Sequence, residues 1–269
     1  MENNISDQLK ETLAEEEMHK NWIKVYRNPL NAAFYEKAFD RICSLLKPLR
    51  ESRVLDVGCG TGAQSMRLAR RGFQVMAIDF SETVLKRAEA EIRSSGLNDR
   101  ITLRREDILS LTFGDGHFEN LLCWGVLMHI ADVDRAISEI IRVVKPGGRI
   151  VVSEGNMFSM QSLIIRGLKG ALRIGKSRVV RSKEGLEFWE STPSGILLTR
   201  QSDMRWLVNK FVNCGCSLEH RFAGQFTELY SLVNSDTINW VIHKVNDLYF
   251  RYIRWPHPAY GNICIFRKL

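Results

Sequence analysis

The chain has 269 residues, 45% hydrophobic and 26% charged, which suits a globular protein with a substantial core and no need of staples. A formal net charge of +7 permits a nucleic-acid, membrane-surface or anionic-substrate partner and selects none of them. No run of about 18 apolar residues is present, which argues against a transmembrane helix. The cysteines (Cys43, Cys59, Cys123, Cys214, Cys216, Cys264) are scattered, and several sit in apolar runs. Cys214 and Cys216 form C-x-C with no nearby partner pair, so no metal site is expected and the compartment reads as reducing and cytoplasmic. The acidic, polar start (MENNISDQLKETLAEEE) does not read as a secretory signal.

Residues 1–50 predict a helical cap. Ser6 is placed to start a first helix, Trp22 and Tyr26 mark a second pattern, and 31–46 forms a third with Phe34, Ala38, Ile42 and Leu45 on one face. Asn28-Pro29 and Pro48 read as breaks. Trp22 and Tyr26 read first as core packing, with a ligand lid as the alternative.

Alternation then begins. Strands are expected at 53–57, 73–79, 101–104, 118–124 and 149–153, with helices at 63–71, 82–94 and 132–144. This order implies right-handed crossovers and a mostly parallel sheet with helices on both faces. After Glu154 the alternation breaks. The segment 156–198 is too long for a bare loop and predicts an inserted helical lid. A helix at 202–213, a strand at 217–223, a helical aromatic segment at 226–256 and a last strand at 262–267 follow.

The central stretch is VLDVGCGTG at 54–62, a strand signal running into three glycines before a helical pattern. Such a turn brings backbone close to a polar ligand and points helix N–H groups at it. Ligands of open parallel sheets bind beyond the carboxyl ends of the strands. Those ends offer Asp56 with the 58–62 loop, then Asp79, then Asp107, then Cys123, Trp124 and Gly125. A carboxylate ending the second strand suits a ribose diol, and one after the third suits an exocyclic amine. A dinucleotide pocket shares these features, but position 63 is Ala, so G-x-G-x-x-G is not met.

Five segments in order carry a resemblance: VLDVGCGTG at 54–62, AIDFS at 77–81, REDI at 105–108, CWGVLMHI at 123–130 and VKPGGRIVVSE at 144–154. The chain resembles the class I S-adenosylmethionine-dependent methyltransferases, of the bacterial small-molecule, type 11-like kind. The likeness covers about residues 50–155. It implies an α/β fold with a Rossmann-like seven-stranded sheet, last strand antiparallel. It also implies S-adenosylmethionine as donor, S-adenosylhomocysteine as product, and no metal. On the matching positions it implies that Asp56 and the backbone of Gly58 and Gly60 hold the methionine end, Asp79 the ribose, and Asp107 and Ile108 the adenine, while Cys123 and Trp124 add backbone contacts beside the methionine end; Cys59, Gly62 and Phe80 are also expected to bind the cofactor.

The expected organisation is one domain over 1–269: the cap at 1–50, a cofactor core at 51–155, lid insertions at 156–198 and 226–256, and segments 199–225 and 257–269 completing the sheet. His129, beside the donor pocket, is a candidate general base, with packing as its alternative. Glu154 either orients the acceptor or caps the next segment. No N/D-P-P-Y/F tetrapeptide or Pro-Cys nucleophile follows the fourth strand, which disfavours a nucleic-acid acceptor. Between Gln161 and Lys183 the chain carries Arg166, Lys169, Arg173, Lys176, Arg178, Arg181 and Lys183 and no acid. This basic amphipathic stretch suits an anionic membrane surface or an anionic or lipid-linked acceptor, against a plain solvated face. The run at 240–257 repeats the theme. The expected reaction is methylation of an oxygen or nitrogen of a small molecule or glycoconjugate, in the cytoplasm or at the inner membrane face. The alternatives are a lipid-linked or prenylated acceptor at the membrane surface, and a non-catalytic cofactor-binding module.

Overall fold

The computed structural model describes residues 2–15, 29–46, 52–172, 178–193 and 195–269. Trp22, Tyr26, Asn28, Pro48, Arg173 and Lys176 lie outside the described residues. Helix α1 (Glu2–Ala14) contains Ser6 instead of starting at it. Its inner face is set by Leu9 and Leu13, both buried, so the helix extends over the polar residues before Ser6. Helix α2 (Pro29–Leu46) starts on its proline, where the missing N–H costs nothing. It buries Phe34, Ala38, Phe39 and Ile42 along one stripe.

The core follows as β1 (Arg53–Val57), α3 (Ala63–Arg70), β2 (Gln74–Asp79), α4 (Glu82–Ser94), β3 (Ile101–Arg105), β4 (Phe118–Trp124), α5 (Val133–Val143) and β5 (Val144–Gly155). After an insertion come α7 (Met204–Asn213), β9 (Cys216–Ala223), α8 (Asp236–Leu248) and β10 (Gly261–Lys268). The seven-stranded sheet has the order β3-β2-β1-β4-β5-β10-β9. Strands β1 to β5 pair in parallel, and β10 runs antiparallel to both of its neighbours. Strand order reverses between β1 and β4, and a ligand crevice opens at such a point.

Strand alternation divides the interior in two. Val54, Leu122, Val151, Ile263 and Ile265 pack with α2, α3 and α4 on one face. Leu55, Val57, Leu121, Cys123, Ile150, Val152, Cys264 and Phe266 pack with α5 and α7 on the other. The period of two decides which face each residue meets. It places Asp56 on the α3 side and Cys123 on the α5 side, with consequences for both.

The insertion differs from expectation. It begins with helix α6 (Met160–Leu172), but continues as β6 (Arg178–Arg181), β7 (Gly185–Thr192) and β8 (Gly195–Ser202), a separate antiparallel sheet in the order β6-β7-β8. It is therefore not a helical lid. Leu186, Phe188, Ile196, Leu198 and Arg200 alternate along β7 and β8, the pattern of a hairpin with one covered face. Thr199–Ser202 accordingly belongs to this small sheet and not to the main one. The small sheet joins the core through Asn156, which bridges to Ser202, and through Met157, whose N–H donates to the Ser202 carbonyl at 3.1 Å. The segment 226–256 is largely helical, as expected, with α8 running into a π-turn at Tyr249–Ile253.

Candidate active site

A cavity of about 480 Å³ lies beyond the carboxyl ends of β1, β2 and β4. Its floor is the glycine loop. Gly58 sits at φ +63°, and a Cβ there would lie 2.6 Å from Val126 Cγ2, so only glycine meets both the left-handed backbone and the close approach. The Cys59 N–H donates to the Ile78 carbonyl at 2.8 Å, which ties the loop to β2. Gly62 precedes α3 at φ +80°, and no side chain caps that helix start. Ala63 and Gln64 of the first turn line the cavity, so uncapped helix N–H groups stand beside it.

Asp79 ends β2 at the cavity wall and organises the loop. Its Oδ2 accepts from Gly60 N–H and its Oδ1 from Ser81 N–H, each at 3.0 Å. Ser81 in turn caps α4, its Oγ accepting from Val84 N–H. A carboxylate oxygen can accept from more than one donor, so a loop N–H and a ligand hydroxyl can share one. Phe80, Asp107 and Ile108 line the same end. Asp107 accepts from Leu109 N–H at 3.0 Å and pairs with Lys10 of α1 at 2.5 Å. Glu106 is turned to structural work: it accepts from the Thr112 N–H and pairs with Arg104.

Three predicted site residues do not reach the cavity wall: Asp56, Gly62 and Cys123. Asp56 alternates onto the α3 side, where the Ser65 hydroxyl donates to it at 2.5 Å. It is a buried brace between β1 and α3 and not a direct wall group. Cys123 is fully buried under α5, and burial pushes its thiol well up. Gly62 turns toward Ile92 and Ala88 of α4. The remaining predictions, Gly58, Cys59, Gly60, Asp79, Phe80, Asp107, Ile108, Trp124, His129 and Glu154, converge on the one cavity.

His129 and Glu154 stand at its other end. His129 closes a short turn, Leu127–His129, and its Nδ1 lies 2.8 Å from the Leu198 carbonyl of β8. A carbonyl only accepts, so Nδ1 carries the proton and the neutral ring keeps its basic lone pair on Nε2. Glu154 is 3% exposed. Its Oε1 accepts from Leu127 N–H at 2.9 Å, so it holds the His129 turn and not the segment that follows β5. Its Oε2 is buried without a hydrogen-bond partner. Burial pushes its carboxyl up to about 8, against the opposing charge of Arg200 and the N–H groups of the turn.

Several wall groups had no sequence signal. Helix α1 supplies Leu9 and Lys10, α2 supplies Tyr35, and the chain between and after the last strands supplies Gln225, Glu228 and Tyr260. Trp124 meets Tyr35 edge-on at 5.8 Å. Burial first, and then the charge of Glu228, pushes the Tyr35 and Tyr260 phenols up. Five carboxylates (Asp79, Glu106, Asp107, Glu154, Glu228) line the cavity against two fixed cations, Lys10 and Arg67. Arg67 is paired with Glu36 at 3.0 Å, as Lys10 is with Asp107. The pocket of a basic protein is thus acidic.

Two buried acids, Asp56 behind the cavity and Glu154 in its wall, give a pH signature. Burial raises Asp56 to about 7, with the Asp79 charge adding to it and Ser65 opposing it, and raises Glu154 to about 8. In an unfolded chain both titrate near pH 4, so the stability that they confer as neutral acids is complete below about pH 4 and is lost as pH rises through 7 and 8. Buried His243 has a lowered pKa and acts oppositely, at lower pH. The urea midpoint of the ligand-free protein is therefore expected to fall progressively from about pH 4, most cleanly above the His243 range at about pH 6.5, and to level off above about pH 8. Glu154→Gln, neutral throughout, should flatten that fall; an equally steep fall in the variant removes Glu154 from the account.

A family model described as a methyltransferase domain matches residues 55–152. A demethylmenaquinone methyltransferase from Thermobifida fusca is 39% identical over 128 residues, covering 48% of this chain and 53% of that protein. Methyltransferase GfsG from Streptomyces halstedii is 32% identical over 120 residues, 43% of each chain. The chain thus spans about half the length of these curated relatives. A solved methyltransferase from Clostridium acetobutylicum superposes with a TM-score of 0.61 at 14% identity, covering 92% of this chain and 96% of that one. The [4+2]-cyclase SpnF superposes at 0.59 with 22% identity, covering 87% and 81%, so the fold alone does not dictate the reaction. The matched segment contains the glycine loop, the Asp79 and Asp107 positions and the His129 turn. Motif order and sheet topology agree with this match: residues 55–152 form a methyltransferase domain, similar to those of the class I, type 11-like kind.

Proposed function

We propose that this protein methylates a small, uncharged acceptor that joins a hydroxyl or amine to an apolar body. The observation that carries the reading is the acidic cavity, with its donor end at the glycine loop and its other end at His129 and Glu154. When bound, S-adenosylmethionine supplies an electrophilic methyl on a sulfonium. The residues present fit that group. A cationic donor suits an acid-lined pocket, and the uncapped start of α3 suits its carboxylate. Asp79 would hold the ribose, Asp107 and Ile108 the adenine, and the Gly58–Gly60 backbone the methionine end. Asp56 would act from behind, by bracing β1 on α3.

The protein's own chemistry is then placement and proton removal. The acceptor O–H or N–H would give its proton to Nε2 of His129 as the methyl passes from sulfur to the oxygen or nitrogen, leaving a neutral thioether. Glu154, protonated near neutral pH, offers its second oxygen as a donor to the acceptor. Phe34, Tyr35 and Trp124 give the apolar wall. Anionic headgroups do not suit this interior, so the anionic acceptor expected from the basic insertion is replaced by a neutral reacting end.

The acceptor we favour is quinol-like, an apolar ring carrying a hydroxyl. The names of the Thermobifida fusca relative and of several others, demethylmenaquinone methyltransferases, support an apolar ring as the acceptor's body and leave the atom methylated to the test. Incubation with methyl-labelled S-adenosylmethionine and reduced demethylmenaquinone, beside a panel of simple phenols and amines, tests it. Label should enter the quinol or a phenol. Label in none of the panel, with donor binding intact, rejects the transfer reading in favour of a binding module.

Apolar side chains also surface near the acceptor end. Leu163, Ile164 and Leu168 of α6 are exposed, as are Ile238, Val241, Val245 and Leu248 of α8 and Tyr252 of the π-turn that follows it. The α8 residues repeat at three- and four-residue steps on its outer face, flanked by Lys244 and Arg251. Gln161 at the start of α6 accepts from the Thr227 hydroxyl and from Glu228 N–H, and Asn246 of α8 accepts from Thr227 N–H, which sets both helices beside the cavity rim. Apolar stripes with basic flanks and Trp240 and Tyr252 suit the surface of an anionic bilayer. Vesicles containing phosphatidylglycerol should pull the protein down at low salt, and Val245→Glu with Leu248→Glu should release it. No sedimentation of the wild type with such vesicles rejects the membrane contact. Among the described residues no helix is long and apolar enough to cross a membrane.

A further inference from the structure

We infer that Arg200, on the small antiparallel sheet, is a positioning residue for His129, so that the insertion completes the catalytic centre instead of covering it. Arg200 is 2% exposed. Its Nη1 donates to two carbonyls of one turn, Leu127 at 3.1 Å and Ile130 at 2.9 Å. These two residues bracket His129. Its Nε and Nη2 donate to Glu187 Oε1 on β7, at 3.2 and 2.9 Å, which compensates the buried charge.

The turn is thus gripped from both sides. Glu154 of the main sheet accepts its Leu127 N–H, and Arg200 of the small sheet donates to its carbonyls. Leu198, two residues before Arg200 on the same strand, supplies the carbonyl that accepts from His129 Nδ1. One short stretch of β8 therefore sets both the location of the turn and the tautomer of its ring. Thr199, between them, lines the cavity. A strand covering the pocket without a functional role does not need a buried arginine aimed at this turn. An exposed lysine and an apolar residue would cover it at lower desolvation cost.

The fork geometry separates positioning from charge. A lysine keeps the positive charge but is a single point donor, which does not span two carbonyls and a carboxylate together. Arg200 acts here through His129, whose role in transfer is the proposal above. The readout is therefore the proton on the ring, and loss of turnover and loss of positioning stay distinguishable. Long-range proton–nitrogen correlation spectra of neutral His129 would be recorded for wild type, Arg200→Lys and Arg200→Met, with His129→Asn to assign the signal. S-adenosylhomocysteine affinity by calorimetry serves as the check on the donor end.

Wild type should show the Nδ1–H tautomer. Both Arg200 variants should show the Nε2–H form growing in, with donor affinity within about threefold of wild type. A lysine variant that keeps the wild-type tautomer while the methionine variant loses it reduces Arg200 to a charge and overturns the inference. So does a tautomer change that appears only together with a tenfold or greater loss of donor affinity. Should Arg200→Met not fold, Glu187→Gln frees the guanidinium anchor with less disruption and should shift the tautomer in the same direction; no shift there overturns the inference equally.

Discussion

Replacing Asp79 with alanine is expected to weaken S-adenosylhomocysteine binding by about 1–3 kcal/mol, roughly five- to 150-fold. The carboxylate does two jobs at once. It faces the cavity, where a ribose hydroxyl would meet it, and it accepts from Gly60 N–H and Ser81 N–H. Alanine leaves the Gly60 N–H with no acceptor beneath the loop and removes the tie between the loop and the start of α4. Asparagine keeps the shape but presents one acceptor oxygen and one NH₂, so Asp79→Asn should fall between wild type and alanine. A dissociation constant unchanged in calorimetry for the alanine variant would remove Asp79 from the donor site.

The larger kinetic effect is expected at His129. His129→Asn retains a side-chain N–H able to reach the Leu198 carbonyl but has no basic nitrogen. Methyl transfer to a phenolic or quinol acceptor should drop by about 10²–10⁴, the usual worth of a positioned general base, while donor affinity holds. The same variant should be less impaired at pH values where the acceptor ionises on its own, because the proton to be removed is then already gone. Turnover equal to wild type would mean that proximity and orientation alone carry the reaction, as in-line transfer from a sulfonium permits.

The core was legible because its signals are local. VLDVGCGTG states a strand, a left-handed turn and a helix start in nine consecutive residues, and the structure has β1, three glycines at positive φ and α3 there. Asp79 and Asp107 follow from strand length alone, since a strand that ends at the sheet edge delivers its next residue to the crevice. Asp56 shows the limit of that logic. It pairs in register with Ala77, two residues short of Asp79, so it stops below the crevice and meets Ser65.

The small sheet was misread for a related reason. Composition pointed to a basic amphipathic helix, and α6 is one over Met160–Leu172. Beyond it the alternation of Leu186, Phe188, Ile196, Leu198 and Arg200 carried a hairpin signal that net charge obscured. Of the acids at the end of the cavity away from the glycine loop, only Glu154 was legible. Glu228 and Tyr260 stand outside any motif, and only the antiparallel insertion of β10 between β5 and β9 brings their neighbourhood against Glu154.

Sequence alone determined the glycine-loop end of the cavity, because left-handed glycines, strand ends and helix starts are properties of a few adjacent residues. Tertiary structure decided the other side. Arg200 and the turn that it grips are 73 residues apart at Leu127, and Lys10 and Asp107 are 97 apart. No local preference of either partner encodes such a meeting. It exists because burying the apolar faces of the small sheet and of α1 brings those strands and helices together, and the polar groups then find each other in the space left between them.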